Sequence, residues 1–301
     1  MNVETFCSDL AREAGAPLAG TASRAELWLL LEHDGPWGAD AVVDNDLPPG
    51  VREWLAAQLA ALAAAGKARV LLVRQERGPG AARGNGVRGF LAVAREDRQE
   101  LYRFAAARVE ELPDLDLAAS LTGGSLVPAP ETLTLVCVNG RRDRCCARRG
   151  VPTYRALAEQ IGDAVWQSTH QGGHRYAATG LWLPEGVAYG FLGPGDAAPL
   201  AASRARSAIH LSRFRGRTFH PAPAQAADAL VRAELGIDAL DAWRLEELRR
   251  EEDGAWRVTL AGAAGRVEAL VEERPETVLA SCSPPKQKRS ERFALRSWAR
   301  A

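Results

Sequence analysis

TLTLVCVNGRRDRCCARRGVPTYRALAEQIG, residues 132–162, and AVWQSTHQGGH, residues 164–174, decide how this chain folds. TLTLVCV (132–138) is apolar and β-branched, which predicts a buried strand. VPTYRALAEQIG (151–162) has helical spacing with Pro152 at its start, and AVWQSTH (164–170) reads as a second strand. A strand, a helix and a strand make the unit that pairs two strands in parallel. If these two pair so, the cysteine-rich loop and the histidine loop emerge at the same end of the sheet. YAATGLWLPEGVAYGFLG (176–193) predicts a hairpin turned at Pro184-Glu185-Gly186. AAPLAASRARSAIHLSRF then predicts a closing helix.

This β–α–β–β–β–α order fits a small thioredoxin-like α/β layer. The residues before it read similarly. AELWLLLEH (25–33) and ARVLLVRQE (68–76) predict strands flanking the helix PPGVREWLAAQLAALAAAG, whose Val51, Leu55, Leu59 and Leu62 share a face. RGPGAARGNGVRG (77–89) is full of breakers, GFLAVARE is a strand, and LYRFAAARVEEL fits strand or helix. LPDLDLAASLTGGSLVPAP (112–130) reads as a linker. Beyond residue 220, PAQAADALVRAELG predicts a helix, AWRVTLAG and GRVEALVEER paired strands, and ETVLASCSPP a third. The expected architecture is α/β. It has a degenerate thioredoxin-like unit (1–125), a thioredoxin-like cluster domain (126–220) and a small α+β extension (221–301).

Bulk properties exclude several classes. The 301 residues are 47% hydrophobic and 25% charged, enough for a core without disulfides or metal. With 38 basic and 38 acidic residues the net charge is zero, which argues against nucleic acid as a partner. No apolar run approaches the roughly 20 residues that span a bilayer, so no membrane partner is expected. MNVETFCSDLAREAG lacks the apolar centre of a signal peptide, so the expected compartment is the cytoplasm. There, clustered cysteines read as metal-binding or catalytic rather than disulfide-bonded.

Cys137 and Cys146 are separated by eight residues, and His170 and His174 by Gln171-Gly172-Gly173. Two thiolates and two imidazoles form a set of four ligands suited to zinc or to an iron–sulfur cluster. Cys2His2 zinc sites are common, yet this cysteine spacing is wider than a zinc knuckle. The glycine pair rules out a helical metalloprotease-type histidine pair and lets the backbone come close to a bulky group. No CxxC motif is present, which weighs against a thioredoxin-type dithiol. Cys145, beside Cys146, is a substitute ligand or a bystander.

CVNGRRDRCCARRG followed by VWQSTHQGGHRYAATGLWLPEGVAYG resembles the sucrase/ferredoxin-like family of thioredoxin-like ferredoxins. CSDLAREAGAPLAGTASRAELWLLLEHDGPWG is similar to that family too, so the likeness spans about residues 5–215. Asn139 departs from the pattern, since many members have His there. The resemblance implies a [2Fe–2S] cluster held by Cys137, Cys146, His170 and His174. Such a site is nearly neutral when oxidised, so its potential should lie above the roughly −400 mV of plant-type ferredoxins. Imidazole ligands also allow proton uptake on reduction.

Around these ligands, Arg141, Arg142, Asp143, Gly172 and Gly173 are expected as supporting residues. Arg141, Arg142, Arg148 or Arg149 would hydrogen-bond cluster sulfides or steer an acidic redox protein partner, or else form a solvated loop, and Asp143 is expected to cap or salt-bridge within it. Trp166 and Tyr176 read as core. His33, His210 and His220 read as structural. Cys7 and Cys282 read as ordinary thiols, with SCSPPK able to form a tight loop near another site. The expected function is an electron-transfer or redox-sensing protein, a one-electron carrier rather than a catalyst. The alternatives are a zinc-stabilised interaction domain with the same ligands, and a thiol oxidoreductase using Cys145 or Cys146.

Overall fold

The computed structural model describes residues 6–40, 42–76, 86–282 and 285–300. Helix α1 (Cys7–Glu13) leads into strand β1 (Leu27–Glu32), helix α2 (Pro49–Ala65) and strands β2 (Ala68–Arg74), β3 (Val87–Ala94) and β4 (Gln99–Ala106). Helix α3 (Leu117–Gly123) and the short strand β5 (Val127–Pro128) follow. The second half runs β6 (Leu133–Cys137), α4 (Arg144–Ile161), β7 (Val165–Ser168), β8 (Gly180–Leu183), β9 (Val187–Tyr189), α5 (Ala197–Ala205) and β10 (Phe214–Arg217). Helix α6 (Ala222–Leu235) and strands β11 (Arg244–Arg250), β12 (Trp256–Gly262), β13 (Gly265–Cys282) and β14 (Pro285–Arg300) complete the chain.

All of β1 to β10 lie in one mixed sheet, in the order β10-β9-β8-β6-β7-β2-β1-β3-β4-β5. β1 pairs β2 in parallel and β3 antiparallel; β6 pairs β7 in parallel and β8 antiparallel. Each half therefore repeats strand, helix, strand and hairpin, with the second strand innermost. The halves join where β2 meets β7 antiparallel, Val73 opposite Ser168. The sheet is continuous across residue 125.

Alternation sorts the strand residues between two cores. Leu27, Leu29 and Leu31 share one apolar cluster with α2 residues Val51, Trp54 and Leu55 and with α4 residues Tyr154 and Leu157. Trp28 and Leu30 point to the other face, with Leu71, Val73, Phe90 and Trp166. Each fully buried leucine contributes about 2 kcal/mol.

Several expectations need correction. The expected linker is structured: a helical turn (Val109–Asp114) and α3 pack on α2, where Gln58 Oε1 accepts from the N–H groups of Leu117 and Ala118. LYRFAAARVEEL is strand through Ala106. Helix α4 begins at Arg144, with Pro152 in its interior, because Asp143 caps it upstream by accepting from Cys145 N–H at 2.9 Å. ETVLASCSPP is no separate strand but the far half of β13, up to Cys282. Of the breaker-rich stretch 77–89, residues 77–85 lie outside the described residues.

β11 to β14 form a second, antiparallel sheet in sequence order. α6 packs against it through Ala226, Ala227 and Val231, meeting Trp243, Val258, Val271 and Phe293. At 18 residues β13 extends for about 60 Å. Its far end reaches back to α1 and the histidine loop. Among the described residues no helix is long and apolar enough to cross a membrane.

Candidate metal centre

The parallel pairing of β6 and β7 places Cys137 opposite Ser168, so both loops leave the sheet together. Asn139 Oδ1 accepts from the N–H groups of Arg141 and Arg142 and turns the chain from β6 into α4. Cys145 and Cys146 then occupy the first turn of the helix. Gly150 lets α4 press on the strand end: a β-carbon there would stand 2.0 Å from the Cys137 carbonyl oxygen. Adjacent helical residues point about 100° apart. Accordingly Cys146 faces Cys137 and His170, whereas Cys145 faces Cys7 and Cys282.

His170 Nδ1 lies 3.9 Å from Cys137 Sγ and 3.7 Å from Cys146 Sγ. These three donor atoms all fall within 4.8 Å of one another. His174 stands beside them, its ring centroid 5.1 Å from that of His170. Its Nε2 donates to the Ala280 carbonyl at the tip of β13. That contact puts the ring proton on Nε2 and leaves Nδ1 as a lone pair, buried and without a partner among the described residues.

The glycines of the histidine loop serve protein groups. Gly172 and Gly173 have φ of +98° and +75°. A β-carbon would meet Ser23 Oγ at 1.9 Å from Gly172 and the Arg215 guanidinium at 2.3 Å from Gly173. The bulky neighbour expected from the sequence is thus Ser23 and Arg215. Arg69 donates to the carbonyls of His170 and Gln171, and Arg215 to that of Gly172. The first half of the chain therefore holds the histidine loop through Arg69.

The Cys146 thiol, hydrogen-bonding to Cys137, holds Cys137 well below the usual thiol range; burial opposes this and His170 adds to it. Cys146 is pushed up in turn by Cys137 and by burial. Burial lowers His174, and the neighbouring His170 lowers it further, which favours neutral imidazole. Neutral imidazole and thiolate are the forms that ligate metals.

The basic stretch divides in two. Arg141 and Arg142 are exposed, and Arg142 lines, with Arg69, Asp40 and His170, a cavity of about 240 Å³ at the mouth of the site. Arg144 and Arg148 lie over the Phe6 ring, and Arg149 ion-pairs with Asp9 at 2.5 Å. Those three hold the N-terminal helix.

A second buried group lies on the other side of α4. Cys145 Sγ is 3.5 Å from Cys7 Sγ and 3.1 Å from Cys282 Sγ. Asp143 accepts from the N–H groups of Cys145 and Cys282 and from Ser281 Oγ. Burial pushes the Asp143 carboxyl up, but these N–H donors outweigh it and keep it ionised. The sequence reading took Cys7 and Cys282 as ordinary thiols. The sequence signals that could have grouped them were SCSPPK, read as a loop near another site, and the Cys145-Cys146 doublet, one thiol more than a single site needs. Nothing in the sequence marked Arg69, Arg215 or Ala280.

No curated protein and no solved structure matches the chain. The sucrase/ferredoxin-like family does match, over residues 18–216, a span that holds both the cysteine and the histidine loops and most of the sheet that supports them. By that match, which covers about two thirds of its length, the chain belongs to the sucrase/ferredoxin-like family.

Proposed function

We propose that Cys137, Cys146, His170 and His174 hold a [2Fe–2S] cluster and that the protein carries or senses single electrons. One observation carries this reading: the buried, unpartnered Nδ1 of His174 beside the three-donor group of Cys137, Cys146 and His170. A lone tetrahedral ion would want all four donors within about 4 Å of one another. His174 stands outside the compact three, as a ligand to a larger, binuclear group would. When bound, the cluster supplies a one-electron couple. The chain's own residues hold it, orient both imidazoles through Arg69 and Ala280, and keep water away from the thiolates.

The repeated strand order supports a thioredoxin-like reading of both halves, with 126–220 as the cluster unit, 1–125 as its degenerate copy and 221–301 as a cover. Exposed Arg141 and Arg142 beside the mouth favour a redox protein partner with an acidic face. Zinc is the second reading, favoured by the three donors within reach of one ion. A thiol oxidoreductase finds less support, because Cys145 and Cys146 are both buried.

The test is a redox titration of wild type and His170→Cys, followed by visible absorbance. Exchanging imidazole for thiolate adds negative charge, so the midpoint should fall by on the order of 100 mV or more. An unchanged midpoint would remove His170 from the ligand set.

A further inference from the structure

We infer that Cys7, Cys145 and Cys282, with the Asp143 carboxylate, form a second metal site that binds one thiophilic ion of the zinc type. The three thiols come from distant parts of the chain: the start of α1, the first turn of α4 and the tip of β13. All three are buried, and none is in a disulfide. Their sulfurs and a carboxylate oxygen of Asp143 lie within 4.8 Å of one another. A tetrahedral zinc ion with Zn–S bonds of 2.3 Å separates its sulfurs by about 3.8 Å. The observed separations of 3.5 and 3.1 Å would open by about 0.3 and about 0.7 Å to reach that figure. Three soft donors and one carboxylate suit zinc, and binding releases the thiol protons to solvent. The group shares no residue with the cluster site: Cys145 and Cys146 point about 100° apart on the α4 turn, and the two sites approach each other where Asp143 Oδ2 lies 3.8 Å from His174 Nε2.

The site explains how α1 and the far end of β13 are held. Cys7 brings α1, and Cys282 brings the β13–β14 hairpin, onto the start of α4. Two residues before Cys282, the Ala280 carbonyl accepts the hydrogen bond from His174 Nε2. An ion here would thus clasp α1 and the far end of β13 to the start of α4 and fix the hydrogen bond that orients His174.

Zinc, iron and acid-labile sulfide should be measured together on full-length wild type and Cys282→Ser, both grown with added zinc. The wild type should carry one zinc per chain beyond the metal at the Cys137 site. The variant should lose that zinc, or bind Zn²⁺ about 100-fold more weakly against a chromophoric chelator, with iron, sulfide and visible absorption retained. Should Cys282→Ser fail to fold, Cd²⁺ added to apo wild type serves instead, and its near-ultraviolet thiolate band should diminish in Cys7→Ser. Wild type with no zinc, equal zinc in wild type and variant, or a Cys145–Cys282 disulfide peptide by mass spectrometry would overturn the proposal. Two zinc ions and no sulfide in wild type, falling to one in the variant, would uphold this site while refuting the cluster.

Discussion

Gly172→Ala tests how the histidine loop is built. Gly172 has φ of +98°, which costs a residue with a β-carbon about 1–2 kcal/mol. The new methyl would also sit 1.9 Å from Ser23 Oγ and 3.2 Å from the Arg69 guanidinium, overpacking of a kind that costs about 1–3 kcal/mol. Together the two effects should lower the unfolding free energy by about 2–5 kcal/mol. The assay is anaerobic urea unfolding followed by far-ultraviolet circular dichroism. A second variant separates the effects. Ser23→Gly in the Gly172→Ala background removes the clash, so about 1–3 kcal/mol should return while the backbone penalty stays. A loss under about 0.5 kcal/mol, or no rescue by Ser23→Gly, would refute the close approach of loop and body.

Two further outcomes are expected. Gly150→Ala sets a methyl 2.0 Å from the Cys137 carbonyl, so α4 must lift and carry Cys146 away. Visible absorbance per chain should fall while helix content stays, and unchanged absorbance would count against the packing described. Glu96 joins the β3–β4 turn to the second sheet through His220 and Leu245 N–H. Burial pushes its carboxyl up, but the His220 contact and then Leu245 outweigh this and hold it low. A depressed native pKa gives stability that is present above the unfolded value of about 4.3 and lost as pH falls through the native one. The deficit of Glu96→Gln in urea unfolding should therefore be full at pH 7 and vanish in acid; a deficit independent of pH would contradict this.

The parallel strands were legible because β1, β2 and β6 are apolar runs. The Pro184-Glu185-Gly186 turn marked its hairpin by local chemistry alone. β10 was not legible, because Phe214-Arg215-Gly216-Arg217 buries two arginines that only tertiary partners can satisfy. The start of α4 was hidden by a polar, arginine-rich first turn whose cap, Asp143, lies among charges. At the site, Cys137, Cys146, His170 and His174 announced themselves by spacing. What holds them did not: Arg69, Arg215 and Ala280 contribute through backbone contacts with residues about 40 to 106 positions away, which no local pattern records. Cys7 and Cys282 are 275 residues apart, and only the folded hairpin brings them to Cys145.

Iron and acid-labile sulfide, measured on protein purified without oxygen, test the central claim most directly. Two iron and two sulfide per chain, with absorption between about 400 and 600 nm that bleaches on reduction, are expected for a [2Fe–2S] centre. Stoichiometric zinc at Cys137, Cys146 and His170, with no sulfide and no visible band, would contradict it.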